Sequence, residues 1–189
     1  PMQRLAADGV AAAASVAEVA RGCDVIFLSL PSGEIVDAIA RQADGLLAHA
    51  RAGQFIVDLS TSDVTMTRAL AQDFAGRGVV FVDAPVARTR AAAEAGTLSV
   101  MVGASEADYE RVRPLIATFA SDISLCGPVG CGQVVKILNN MVLFETVVAL
   151  TEAKAIGERA GVPAALLFDV LSKGSADSFA LRSHGLKAI

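Results

Sequence analysis

Histidine and cysteine are scarce in this sequence. It contains two histidines, His49 and His184, and three cysteines, Cys23, Cys126 and Cys131, none of which lies in a Cys-x-x-Cys pair. A histidine-based zinc site and a Ser-His-Asp triad therefore have little material. An odd number of cysteines without such a pair is typical of reduced thiols, so we expect a cytoplasmic protein.

The sequence also lacks a run of basic residues and a long uninterrupted apolar run. Its formal net charge is -4 and its pI is near 5.1, which argues against nucleic acid or an anionic membrane as the main partner. No unbroken apolar run reaches the roughly 18 residues that span a bilayer, so we expect no membrane segment. The alanine-rich start lacks the pattern of a signal peptide. A hydrophobic content of 53% is sufficient for the core of one or two domains.

Apolar segments of strand length alternate with segments of helical period. The predicted strands are 24–30, 54–59, 79–82, 98–102 and 123–126, and the predicted helices between them are 32–41, 62–74 and 105–119. This alternation indicates an α/β fold with a doubly wound sheet. Beyond Gly130 the period is helical, and one long helix is predicted over 132–159. We therefore predict an α/β domain over 1–129 and the start of an all-helical domain over 130–189.

The stretch from Gly127 to Asn140 combines three glycines with one cation in an apolar helical pattern. In a helix, Lys136 and Asn140 leave the same face one turn apart. Apolar neighbours would partly desolvate the ammonium, which lowers a lysine pKa toward the range where the group can transfer a proton. The glycines are predicted to let a ligand approach the positive end of the helix. The alternative is a buried helix whose lysine reaches out to solvent.

Polar or turn-forming residues follow three predicted strands, at 29–31, 60–62 and 83–89. Ligands of open α/β sheets bind beyond such strand ends, although helix caps would account for the serines and threonines equally well. Arg88 could bind a carboxylate, phosphate or sulfonate with two hydrogen bonds. A salt bridge from Arg88 to Glu94 is the alternative.

The segments Asp83-Ala-Pro-Val86 and Ala93-Glu-Ala-Gly-Thr-Leu98, followed by Gly130-x-Gly-x-x-x-Lys136-x-x-Asn-Asn140, resemble the β-hydroxyacid dehydrogenases, the family of 3-hydroxyisobutyrate dehydrogenase. The resemblance implies a Rossmann-like NAD(P)-binding domain joined by a long helix to an all-helical domain. It further implies NAD or NADP as cofactor, a small anionic substrate, and a homodimer or homotetramer formed through the helical part.

The resemblance also implies roles for residues of the long helix. Lys136 would donate a proton to the substrate carbonyl oxygen during reduction and take it back from the hydroxyl during oxidation. Asn140 would hydrogen-bond the substrate beside Lys136. Asn139 is expected at the substrate as well, in the position where the related 6-phosphogluconate dehydrogenases have a histidine, which disfavours their decarboxylating reaction.

The resemblance also implies roles for residues in two further parts of the sequence. Leu30, Pro31 and Thr61 match positions that face the cofactor. Ala87-Arg88-Thr89 replaces the Ser-Gly-Gly that most of the family uses to bind the substrate acid, and Pro-Val-x-Arg-Thr is similar to the sulfolactaldehyde reductases. This replacement predicts an anionic aldehyde or hydroxy acid, with sulfonates among the candidates, held by Arg88 and Thr89.

The family's glycine-rich dinucleotide fingerprint and first βαβ unit are missing from the sequence. The glycines at 127, 130 and 132 precede a helix late in the chain and are not that fingerprint. We therefore expect a chain truncated at both ends. The alternative function is a non-catalytic oligomerising scaffold of the same fold, which the presence of both Lys136 and Asn140 disfavours.

Overall fold

The computed structural model describes residues 2–183 and 185. The chain divides into two compact units, Pro1–Lys136 and Ile137–Ile189. His184 and the last four residues of the predicted helical region lie outside the described residues.

The first unit contains six strands and most of the helices. The strands are β1 (Val25–Leu28), β2 (Phe55–Asp58), β3 (Val80–Asp83), β4 (Val86–Ala87), β5 (Leu98–Gly103) and β6 (Ala120–Gly127). The helices are α1 (Met2–Ala7), α2 (Val16–Gly22), α3 (Gly33–Arg41), α4 (Leu46–His49), α5 (Val64–Ala75), α6 (Arg90–Glu94) and α7 (Glu106–Ile116). Helix α8 (Cys131–Arg159) starts in this unit and continues into the second, which also contains α9 (Ala164–Leu171) and α10 (Phe179–Ser183).

The six strands form one mixed sheet. Strands β1, β2 and β3 are parallel in that order, and β5 is parallel to β6. Strand β5 runs antiparallel to both β3 and β4, so the doubly wound pattern is interrupted between β3 and β5. Only ten residues, 88–97, join β4 to β5, fewer than the dozen or more that a parallel pair needs, so these two strands pair antiparallel.

Apolar side chains on the two faces of the sheet form two cores. One contains Ile26, Leu28, Ile56 and Phe81 with residues of α3 and α5, and the other contains Phe55, Val57, Val82, Val100 and Val102 with residues of α7. All four residues of β2 are buried, as a strand covered on both faces requires. The sheet therefore provides a rigid frame whose strand ends position the loops beyond them.

Three short elements between the predicted strands were missing from the sequence-based assignment. Helix α4 is a single turn, and the predicted loop over 83–95 contains both β4 and α6. Two to five residues are too few to show a period, which is why the pattern did not reveal them. The predicted strand at 123–126 starts earlier, at Ala120.

In the second unit, Leu150, Phe168, Ala180 and Leu181 form a small core. Helix α8 has 29 residues, and by length and composition alone it is apolar enough to cross a membrane. Counting only unbroken apolar runs missed this, because Lys136, Asn139, Asn140 and Glu145 interrupt the run.

Candidate functional site

Two buried aspartates lie side by side at the carboxyl ends of β2 and β3. Asp58 and Asp83 are register partners in the parallel pair, and neither is exposed to solvent. Asp58 accepts hydrogen bonds from the backbone of Ser60 at 2.9 Å and from Ser62 Oγ at 3.1 Å. Burial raises the pKa of Asp58, although these bonds act in the opposite direction.

Asp83 holds the first turn of α8. Its Oδ1 accepts from the backbone N–H of Gly130 at 2.7 Å, and its Oδ2 accepts from that of Gln133 at 2.9 Å. These amides belong to the helix start, where no carbonyl of the same helix can pair with them. Burial raises the pKa of Asp83 more than the two bonds lower it, and Asp58 raises it further. A strand residue thus caps the helix that carries Lys136.

Gly132 lets α8 lie directly against the sheet. A Cβ atom at this position would be 2.3 Å from the carbonyl oxygen of Met101 and 2.8 Å from Asp83 Oδ2. The preceding Gly130 has a φ of 92°, which favours glycine. The interpretation that these glycines open the helix start to a ligand is wrong, because the sheet and Asp83 occupy that position.

Gln133 connects α8 to the loop after β2. Its Oε1 accepts from the backbone N–H of Ser62 at 3.0 Å, and its Nε2 donates to the carbonyl oxygen of Ser60 at 2.8 Å. The two bonds lie on either side of Thr61, and Gln133 itself is fully buried. One glutamine therefore fixes the backbone around an exposed threonine that the family resemblance assigns to the cofactor.

The loop after β1 is hydrogen-bonded to the loop after β2. The backbone N–H of Leu30 donates to Ser60 Oγ at 3.0 Å. Leu30 is half-buried, and Pro31 beside it is exposed. The structure thus joins Leu30, Pro31 and Thr61 through Ser60, and joins Ser60 to α8 through Gln133.

Lys136 follows Gln133 by three residues, about one turn of α8. Its side chain is partly buried, and desolvation lowers its pKa from the ordinary value of 10.5. Within residues 2–183 and 185, no hydrogen bond or ion pair engages its ammonium group. A half-desolvated amine without a counter-ion can release its proton more easily than an exposed lysine.

Asn139 and Asn140 also lie on α8, beyond the division into units. Asn139 Nδ2 donates to Asn140 Oδ1 at 3.3 Å, and Asn140 is the less exposed of the two. Their assignment to the substrate stays a prediction.

The segment Ala87-Arg88-Thr89 follows β4 and leads into α6. Ala87 is the register partner of Ser99 near the start of β5, whereas Asp83 is the partner of Gly103 at the end of the same strand. Arg88 has a φ of 84°, a left-handed conformation that favours glycine. This backbone geometry suits the glycine that the family resemblance places at this position.

The side chain of Arg88 has three partners in the structure. Its Nη1 donates to the carbonyl oxygen of Thr97 at 2.6 Å and to Ser121 Oγ at 2.9 Å, and its Nη2 donates to Asp122 Oδ2 at 2.7 Å. Ser121 and Arg88 hold the pKa of Asp122 below its usual range. The alternative salt bridge to Glu94 is wrong.

Glu94 instead pairs with Arg90, at 3.0 Å. The bonds of Arg88 to described residues leave its Nε–H and one N–H of Nη2 for a further acceptor. Its assignment to the substrate acid stays a prediction, and no described hydrogen bond joins 87–89 to Lys136 or to the loops after β1 and β2.

Sequence reasoning missed Asp58, Gln133 and Asp122, and it named Asp83 only within the strand-end segment 83–89 and the family motif, not as the cap of α8. A signal for both aspartates was present: β2 reads Phe-Ile-Val-Asp and β3 reads Val-Phe-Val-Asp, so each buried strand ends on a carboxylate. Gln133 carried no local signal, since its partners are more than 70 residues away. In the described part of the chain, no group of three metal-ligating side chains comes together.

The loops after β1 and β2 fit part of a nicotinamide cofactor. Leu30, Pro31 and Thr61 offer apolar surface, backbone groups and a hydroxyl, and none of the three carries a charge. Such a surface suits an uncharged ring and carboxamide better than it suits a phosphate. These residues would hold only the reactive end of the cofactor.

Two family models match the chain, one after the other. Residues 1–127 match the NAD binding domain of 6-phosphogluconate dehydrogenase, and residues 130–189 match the NAD-binding domain of NADP-dependent 3-hydroxyisobutyrate dehydrogenase. Together they cover nearly the whole chain.

Individual relatives agree with these models. The chain is 37% identical over 183 residues to 2-(hydroxymethyl)glutarate dehydrogenase of Eubacterium barkeri, covering 97% of this chain and 61% of the relative. It is 36% identical over 180 residues to NAD-dependent L-serine dehydrogenase of Pseudomonas aeruginosa, covering 95% and 60%.

A solved structure is similar along nearly the same stretch. This structure, of Mycobacterium tuberculosis 3-hydroxyisobutyrate dehydrogenase with L-serine, has a TM-score of 0.88 and 36% identity, covering 95% of this chain and 61% of that one. The chain thus spans about three fifths of the length of the relatives it matches.

Proposed function

Because the chain belongs to the β-hydroxyacid dehydrogenase family, we propose that the whole protein is an NAD(P)-dependent oxidoreductase that interconverts a small β-hydroxy acid and its aldehyde. Residues 1–129 would belong to its cofactor-binding domain, and 130–189 would begin its helical domain. The observation that carries the proposal is the partly buried ammonium of Lys136, which has no counter-ion among the described residues and lies one turn from the glutamine that fixes Thr61.

The substrate class follows from the names of the relatives. 2-(Hydroxymethyl)glutarate, L-serine and 3-hydroxyisobutyrate each carry a primary hydroxyl on the carbon next to the one that bears a carboxylate. We propose the same arrangement here, HOCH₂–CHX–COO⁻, with the group X undetermined. A sulfonate in place of the carboxylate is a second candidate, because Arg88 stands where most of the family has glycine.

Lys136 would act on the oxygen of the reacting group. In aldehyde reduction its ammonium donates a proton to the carbonyl oxygen as this oxygen gains negative charge, and in oxidation the neutral amine removes the hydroxyl proton. The nicotinamide, when bound, supplies or accepts the hydride. Lys136, having lost its proton in reduction, regains one from solvent, so each turnover consumes one aldehyde, one reduced cofactor and one proton.

The remaining candidate residues would hold the two ligands. Asn139 and Asn140 would bind the substrate beside Lys136, and the loops containing Leu30, Pro31 and Thr61 would face the nicotinamide.

The segment Ala87–Thr89 would receive the acid group of the substrate, with the free Nε edge of Arg88 as its charged donor. The non-catalytic scaffold is not favoured, because the relatives are dehydrogenases and Lys136 is retained. For the whole protein we propose a homodimer or homotetramer.

A substrate screen tests the proposal. The full-length protein is assayed with both cofactors against β-hydroxy acids that differ in X, against a matching sulfonate, and against α-hydroxy acids as controls. The expected result is cofactor-dependent oxidation of one or more β-hydroxy acids or the sulfonate, and none of the α-hydroxy acids. Cofactor binding without turnover of any β-hydroxy compound would overturn the proposed reaction.

A further inference from the structure

Gln133 makes two bonds that the proposed catalysis does not itself require. Both bonds involve the backbone of the loop after β2: the Ser62 N–H donates to Gln133 Oε1, and Gln133 Nε2 donates to the carbonyl oxygen of Ser60. The residue between these two, Thr61, is exposed and makes no described side-chain hydrogen bond. The glutamine therefore sets the position of Thr61 through the backbone on either side of it.

The start of α8, which contains Gln133, is itself fixed to the sheet. The backbone N–H of Gln133 donates to Asp83 Oδ2, and Gly132 lies too close to Met101 O for any larger residue. The first turn of α8 cannot shift relative to the sheet while these contacts persist. Lys136 follows one turn later on the same helix, so its place relative to Thr61 depends on Gln133.

We propose that Gln133 is a positioning residue that couples the cofactor-facing loop at Thr61 to the helix bearing Lys136. This inference rests on the proposed function, since it assigns Thr61 to the nicotinamide. It predicts that loss of the Gln133 side-chain bonds impairs both cofactor binding and proton transfer, even though Gln133 touches neither ligand.

The chain offers a matched control at the opposite end of the same strand. Gln54, just before β2, is also fully buried, and its amide bonds the backbone of Ala20, Cys23 and Arg51. The six residue-to-residue steps from Gln54 to Ser60 span about 20 Å of extended chain. Gln54→Met and Gln133→Met therefore remove equally buried amides, and only the second lies at the site.

The test compares Gln133→Met, Gln133→Glu and Gln54→Met in the full-length protein. Binding of NADH and NADPH is measured by fluorescence, thermal stability by calorimetry, and amide hydrogen exchange over residues 59–63 by mass spectrometry. Gln133→Met is expected to weaken cofactor binding at least tenfold, lower kcat and speed exchange at Ser62. Gln54→Met should lose similar thermal stability but bind cofactor within about twofold of wild type.

Gln133→Glu keeps the acceptor for Ser62 and loses the donor to Ser60, so an intermediate effect is expected; it also replaces Gln133→Met if that variant does not fold. Gln133 variants with lower thermal stability but wild-type cofactor affinity and kcat would overturn the inference. A wild-type protein that binds cofactor but oxidises no β-hydroxy compound would overturn only the proposed reaction. Cofactor binding and amide hydrogen exchange in the Gln133 variants would still test the role of Gln133.

Discussion

Asp83 Oδ2 lies 2.9 Å from the backbone nitrogen of Gln133, across 50 residues of sequence. With the second bond, to Gly130, this carboxylate fixes the start of the helix that carries Lys136 to the carboxyl edge of the sheet. The family motif around Lys136 therefore fixes the helix to the sheet, in addition to containing the residues proposed to be catalytic. Its glycines and Gln133 hold the helix in place, and Lys136 extends from the helix so held.

Asp83→Asn should destabilise the protein in a pH-dependent way. An asparagine oxygen can accept only one of the two backbone bonds, so at pH 7 the free energy of unfolding is expected to fall by about 1–3 kcal/mol. Burial raises the pKa of Asp83 in the folded state above 3.8, so the folded protein binds this proton more tightly than the unfolded protein. The wild-type carboxyl thus adds stability as pH falls through its raised pKa.

Urea denaturation between pH 7 and pH 4 measures this effect. The stability of wild type relative to Asp83→Asn should increase as pH falls. A difference that shrinks on acidification would contradict the raised pKa.

Arg88→Gly separates the role of the side chain from that of the backbone. Glycine accepts the φ of 84° without strain, so the variant removes the side chain and its bonds to Thr97, Ser121 and Asp122 without straining the backbone. Loss of a charge-assisted bond of about 1.5–3 kcal/mol should raise KM for the anionic substrate by roughly 10- to 150-fold, with little change in kcat. Steady-state kinetics check this.

Arg90→Ala is the control for Arg88, since Arg90 is largely exposed, lies two residues away and pairs with Glu94. Its KM should match that of wild type. An Arg88→Gly variant with wild-type KM would mean that the guanidinium serves only Thr97, Ser121 and Asp122.

The pH dependence of kcat/KM should show the lowered pKa of Lys136. For oxidation of the hydroxy acid, kcat/KM is expected to rise with pH and to level off below pH 10.5, once the amine has lost its proton. For aldehyde reduction the profile should fall through the same pKa, because the ammonium is then the active form. In Lys136→Arg neither the rise for oxidation nor the fall for reduction should occur, since a guanidinium keeps its proton. If either pH dependence persists in this variant, the pKa belongs to another group.

Local patterns were enough to predict much of the fold. Continuous apolar runs identified β1, β2 and β3, and the helical period beyond Gly130 identified α8 to within one residue at its start. The reversal of β5 was not predicted, because it depends on a connection of ten residues, 88–97, that the pattern showed only as a loop. Helices α4 and α6 were missed because four or five residues are too few to show a helical period.

Several residues of the candidate site could be named from the sequence, but the hydrogen bonds that hold them in place could not. Lys136 and the strand ends near Leu30 and Thr61 were identified from position and family motif. The bonds that join them run through Ser60 and Gln133, which are 73 residues apart, and such pairs leave no trace in local spacing. The left-handed backbone of Arg88 and its pairing with Asp122 are likewise tertiary properties.

The most direct test of Lys136 as the proton donor is the rate of hydride transfer in Lys136→Ala, measured in a single turnover of the full-length protein with its best substrate. This rate is expected to fall by about 10² to 10⁴, with cofactor affinity within about twofold of wild type. The exposed Lys173→Ala variant should transfer hydride at the wild-type rate. A near-wild-type rate in Lys136→Ala would contradict the assignment of Lys136 as the proton donor.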